Sequence, residues 1–77
     1  MVLMKLLSNE NGRCRYSYQP EKQGKEGVLA YDRNTEEVDI ELLAEKDVKS
    51  TFYRNHAFRM IINEIDDLPK ERLLTWY

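Results

Sequence analysis

Apolar and polar residues alternate along the first half of the chain in a pattern that predicts a series of β-strands. In the second strand a cysteine and two tyrosines share one face, while arginine, serine and glutamine occupy the other. In the fourth strand Val38, Ile40 and Leu42 are predicted to face inward. The first strand is apolar on both faces, so a short helix is the alternative there. The predicted strands cover residues 2–7, 13–19, 28–31 and 37–42.

Short polar connections favour an antiparallel meander of three or four strands, because consecutive strands are usually neighbours in a sheet. Asn11-Gly12 is a strong signal for a two-residue turn, since both residues tolerate positive φ. Residues 32–36 suit a type I turn. Residues 20–27 are predicted to form a polar loop with two glycines and a proline.

Beyond the strands the apolar spacing changes to the period of a helix, which is predicted over residues 48–66 with Asp47 as its N-cap. Its apolar stripe is formed by Tyr53, Ala57, Met60, Ile61, Ile65 and Leu68. This stripe should lie across the sheet, since neither layer can bury itself alone. Pro69 ends the helix, and a short helix or strand follows at residues 69–76. The sequence therefore predicts a single α+β domain over residues 1–77.

Two charged residues, Arg54 and Glu64, fall near the apolar stripe of the helix and not on its polar face. They either reach water with their polar ends or mark a contact with another chain. Phe52 lies on the polar side of the helix, where it would contribute to an exposed apolar patch. The residues predicted to form an interface through this patch are Phe52, Phe58, Ile62, Trp76 and Tyr77.

Twelve basic and fourteen acidic residues give a net charge of −2, which argues against nucleic-acid or membrane binding through overall charge. Residues 13–25 are locally basic and residues 36–47 are locally acidic. The two segments would either lie side by side or meet across a dimer interface. If the protein bound nucleic acid, the predicted contact residues would be Arg13, Arg15, Lys22 and Lys25.

The residues that usually carry chemistry are few. Cys14 and His56 are the only cysteine and the only histidine, and they lack the close ligand pairs of a zinc site. A cysteine on the core face is expected to be inert. We therefore expect no metal, no cofactor and no catalytic residue. The apolar stretch at residues 1–7 is too short for a signal peptide or a membrane span, so we expect a reduced, cytoplasmic protein without a membrane partner.

A chain of 77 residues with 42% apolar residues can build only a thin core. A small sheet with one helix leaves two strand edges and one face uncovered, and small domains often gain stability by association. The sequence thus favours a non-enzymatic protein-interaction module, with a homodimer preferred over a different protein partner. The alternative is a small regulatory or antitoxin-like protein that binds nucleic acid through the four basic residues named above.

Overall fold

A computed structural model describes residues 1–49 and 51–75. Over these residues the chain forms one antiparallel sheet of five strands and one α-helix, which confirms the predicted α+β class with more strands than the three or four expected. The strands are β1 (Val2–Glu10), β2 (Arg13–Pro20), β3 (Gly27–Asp32), β4 (Glu37–Leu42) and β5 (Glu71–Leu74). The helices are a 3₁₀ helix (Glu45–Asp47) and α1 (Phe52–Asn63).

The strand order is β4-β3-β2-β1-β5. The first four strands are neighbours in chain order, so they form a meander. The C-terminal element that the sequence left open as helix or strand is the strand β5, which pairs antiparallel with β1 from Val2↔Leu74 to Lys5↔Glu71. The two outer strands of the sheet are therefore β4 and β5.

The β1–β2 hairpin follows the predicted turn. Asn11 and Gly12 both have positive φ, at 53° and 81°, as a two-residue hairpin turn requires. β1 is longer than predicted, because residues 8–10 continue the pairing with β2 as far as Glu10↔Arg13. It also contains a β-bulge: the pairing moves from Leu6 directly to Ser8, and Leu7 is left over. The bulge shifts the alternation by one residue, which a regular repeat in the sequence could not show.

The core lies between α1 and one face of the sheet. Its buried apolar residues are Val2, Met4, Cys14, Tyr16, Tyr18, Leu29, Tyr31, Ala44, Ala57, Met60 and Ile61. The other residues of the predicted helix stripe, Tyr53, Ile65 and Leu68, pack partly buried against this core. Tyr16 can be buried because its hydroxyl donates to the Pro69 carbonyl, which also holds the segment before β5 against the sheet.

The helix boundaries differ from the prediction. α1 begins at Phe52, not at residue 48, and it ends at Asn63, not at residue 66. Asp47 is not the N-cap. It ends the 3₁₀ helix and is fully buried, because its carboxylate is bonded to Tyr18 and Arg54. This long-range partnership takes Asp47 away from the helix terminus.

Candidate functional site

An open groove of about 460 Å³ lies between α1 and β4. Its lining residues are Val38, Asn55, Phe58, Arg59, Ile62 and Asn63. The apolar part of this β4–α1 groove is accessible to a partner, since Val38 is 50% exposed and Ile62 is 46% exposed. Amide and guanidinium groups from α1 form its polar rim.

The groove exists because α1 does not reach across the whole sheet. The helix packs against β3, β1 and β2, and every residue of β4 is exposed. Val38 pairs with Tyr31, and Ile40 pairs with Leu29. Because Tyr31 and Leu29 belong to the core, Val38 and Ile40 share the face on which α1 lies. The prediction that Val38, Ile40 and Leu42 face an enclosed core is therefore wrong: all three are substantially exposed.

β4 is also an edge of the sheet. It is bonded to β3 on one side and is the last strand of the order on the other. An edge strand presents a row of backbone N–H and C=O groups that can pair with another strand. The free edge and the apolar groove thus lie next to each other.

The face of the sheet away from α1, here called the outer face, carries an ion-pair network at β4. Arg13 donates to Asp39 at 3.2 Å and to Glu41 at 2.8 Å. Arg15 Nε donates to both carboxylate oxygens of Glu41, at 2.9 and 3.2 Å. Between these strands, Ala30 of β3 pairs with Arg15 on one side and with Asp39 on the other, and its small side chain leaves room above it for the arginine. Hydrogen bonds from Arg15 and Arg13 lower the pKa of Glu41 below its ordinary value.

The predicted nucleic-acid contacts are not brought together as one exposed basic surface. Arg13 and Arg15 are bonded to the acids of β4, so the basic and acidic segments meet within one chain. Lys22 and Lys25 lie in the exposed loop between β2 and β3.

The predicted interface residues separate into groups. Phe58 and Ile62 line the β4–α1 groove. Phe52 is exposed near the N-terminus of α1 and makes an edge-to-face contact with the His56 ring, with centroids 4.7 Å apart. Trp76 and Tyr77 lie outside the described residues.

The two unusual charged residues of the helix both have partners within the chain. Arg54 Nη1 donates to the Asp47 carboxylate and to its backbone carbonyl, each at 3.1 Å. Glu64 accepts a hydrogen bond from Arg72 of β5. Both positions near the apolar stripe are thus explained by contacts that join α1 to neighbouring elements.

The side chains that most often hold metals or act as nucleophiles were predicted to have no such role. Within residues 1–49 and 51–75, no group of three or more histidine, cysteine or acidic side chains is arranged to hold a metal. Cys14 is buried, and burial raises the pKa of its thiol, which keeps it in the unreactive protonated form. None of the helices in the described part of the chain is long and apolar enough to cross a membrane.

Comparisons with known proteins identify no relative. No family model matches the chain, and no match is found among curated proteins or solved structures.

Proposed function

We propose that this protein is a non-enzymatic protein-interaction module that binds an extended segment of another protein along β4. The observation that supports this proposal is the position of the free strand edge directly beside the exposed apolar groove. With a buried, fully reduced cysteine, such a module would suit a reducing compartment such as the cytoplasm.

The mode of binding follows from strand geometry. A segment added to β4 would make backbone hydrogen bonds with it, and every second side chain would enter the groove beside Val38 and Ile40. Phe58 and Ile62 would contact the same side chains from the helix. Covering a half-exposed aliphatic side chain contributes about 1 kcal/mol. Contacts in the groove would therefore increase the affinity and would fix the register in which the segment pairs with β4.

A second copy of the chain is the other occupant to be considered, and a homodimer stays a prediction. Solution mass from light scattering over a range of concentrations tests it. The nucleic-acid alternative is less favoured by the geometry, because binding to phosphates would have to compete with the bonds that Arg13 and Arg15 make to Asp39 and Glu41.

The proposal can be tested without knowing the natural partner. Peptides selected from a random display library on the folded protein should bind wild type and should slow amide hydrogen exchange in β4. Ile62→Asp, which places a charge in the groove, should abolish binding. Leu7→Asp is the matched control, because Leu7 is similarly exposed but lies on β1, which β2 and β3 separate from β4.

Two outcomes would contradict the proposal. Binding that leaves exchange in β4 unchanged would place the interaction elsewhere on the surface. Equal loss of binding in Ile62→Asp and Leu7→Asp would show that the groove has no special part in it.

A further inference from the structure

The acidic side chains around β4 indicate what kind of segment the groove accepts. Glu37 and Asp39 lie on the outer face, because they pair with Asp32 and Ala30, which alternate with the core residues of β3. Glu41 joins them through its bonds to Arg15. Of these three acids, Asp39 and Glu41 have arginine partners. Glu37 and its cross-strand neighbour Asp32 have no ion-pair partner within the described residues, although Asp32 accepts the backbone N–H groups of Asn34 and Thr35.

The charge at this edge is negative even after its ion pairs are counted. Five carboxylates lie on β4, at its turn and at the end of β3, and three arginines lie near them. The carboxylates are those of Asp32, Glu36, Glu37, Asp39 and Glu41. The arginines are Arg13, Arg15 and Arg33, and the last of these donates to Asn9 and has no carboxylate partner in the described residues. Apart from Arg59, which lies on the groove side of β4, an excess of two negative charges therefore faces a strand added at β4.

We infer that the natural ligand of β4 is a segment in which apolar residues alternate with lysine or arginine, an inference that rests on the proposed function. Side chains directly opposite each other on paired strands are about 5 Å apart, close enough for opposite charges to attract and like charges to repel. The strand pleat sends alternate side chains to opposite faces. Basic residues on the outer face would meet Glu37, Asp39 and Glu41, while the apolar residues between them would enter the β4–α1 groove.

The same charges disfavour a second copy of the chain at this edge. If β4 paired antiparallel with β4 of another copy, the acidic row of one would face the acidic row of the other. Arg13 and Arg15 are on β2, one strand further from the edge than β3, and their hydrogen bonds hold them there. Charged residues on an edge strand are a recognised means of preventing self-pairing. A basic segment turns that repulsion into attraction.

Three synthetic peptides of one length and one set of apolar positions test this inference. They carry lysine, serine or glutamate at every alternate position, and their affinity is measured by fluorescence anisotropy. The lysine peptide should bind about tenfold more tightly than the serine peptide at low salt, and added salt should reduce this difference. The glutamate peptide should bind most weakly.

Variants that replace a single acid by its neutral amide show which carboxylate causes the preference for the lysine peptide. Glu37→Gln should reduce the ratio of the affinities for the lysine peptide and the serine peptide, because it removes one of the carboxylates that the lysine side chains would meet. Glu26→Gln is the matched control, since Glu26 is an exposed acid in the loop before β3, and it should leave the preference intact.

The outcomes separate this inference from the proposed function. Equal binding of the lysine and serine peptides, with exchange in β4 slowed by both, would overturn the basic ligand and support the interaction module. A stable dimer that Ile62→Asp converts to monomer would also overturn it, because the occupant would then be a second copy. If no peptide binds and no partner or copy slows exchange in β4, the proposed function itself fails.

Discussion

At the scale of single residues, the most constrained group is the carboxylate of Asp47. It is fully buried where β2, the 3₁₀ helix and α1 meet. Tyr18 donates to its Oδ2 at 2.9 Å and accepts from the backbone N–H of Ala44 at 3.1 Å, and Arg54 donates to the same Oδ2. Within residues 1–49 and 51–75, Oδ1 has no hydrogen-bond partner. The stability of this buried charge therefore depends on Tyr18 and Arg54.

We expect Asp47→Ala to lower the free energy of unfolding by about 3 kcal/mol, because removing one partner of a buried pair leaves the other charge uncompensated. Arg59→Ala on the same helix is the control, since Arg59 is exposed, and it should change stability by less than about 0.5 kcal/mol. Urea denaturation measures both. Equal effects in the two variants would show that the Asp47 cluster has no special role in stability.

At the scale of secondary structure, the elements that follow from local pattern were predicted and those set by distant contacts were not. The alternation in β2 and the Asn11-Gly12 turn need only neighbouring residues, so the sequence shows them. Asp47, the predicted N-cap, is instead buried with its carboxylate bonded to Tyr18, which is 29 residues away in the chain, and α1 begins at Phe52. β5 is a four-residue strand that forms where β1 offers a free edge, and its own sequence carries too short a pattern to decide between helix and strand.

For the same reason, the sequence predicts only some of the residues that line the candidate site. Phe58 and Ile62 were identified because helical periodicity places them at the border of the apolar stripe. Val38 and Ile40 alternate as buried residues do, but whether an alternating strand is covered depends on its place in the sheet. A helix of 12 residues over β1, β2 and β3 leaves β4 outside, and that extent of cover is a tertiary property.

The junction of β3 with the loop before it depends on a glycine. A Cβ on Gly27 would overlap the Tyr18 ring and lie 2.5 Å from the backbone of Leu42 and Ala44. We expect Gly27→Ala to cost about 3 kcal/mol of unfolding free energy, because backbone atoms cannot move aside as side chains can.

Gly24→Ala provides the comparison for Gly27→Ala. Gly24 has a φ of +73°, and the three atoms nearest to its added Cβ all belong to the side chain of Glu45, with the terminal carboxylate oxygen the nearest. The expected cost is about 1 kcal/mol from the positive φ alone. Thermal and urea unfolding of both variants check the order, and a larger loss in Gly24→Ala would contradict the close packing around Gly27.

At the scale of the whole molecule, ionisable groups limit stability on both sides of neutral pH. On the acid side, the pKa of Glu41 is lower in the folded protein than its ordinary value of 4.5. The ionised carboxylate therefore stabilises the fold above about pH 4.5, and this stabilisation is lost as the pH falls through the pKa of the folded state. Glu41 lies at the surface among exposed partners, so this contribution is below about 1 kcal/mol. The loss of stability in mild acid should therefore be shallow.

Stability should fall more steeply on the basic side of neutral pH, because a buried tyrosine hydroxyl ionises there. Burial raises the pKa of Tyr16 from 10.0 to about 12. The unfolded chain loses this proton first, so the stability that protonated Tyr16 contributes is complete below pH 10 and falls by roughly 2–3 kcal/mol as pH rises to about 12.

We expect Tyr16→Phe to flatten this dependence, and to lose about 1 kcal/mol at neutral pH because the Pro69 carbonyl loses its donor. Urea midpoints of both proteins at a series of pH values measure the two effects separately. If Tyr16→Phe kept the full fall in stability above pH 10, another group would be responsible. Tyr18 would be the next residue to replace, because burial also raises the pKa of its hydroxyl.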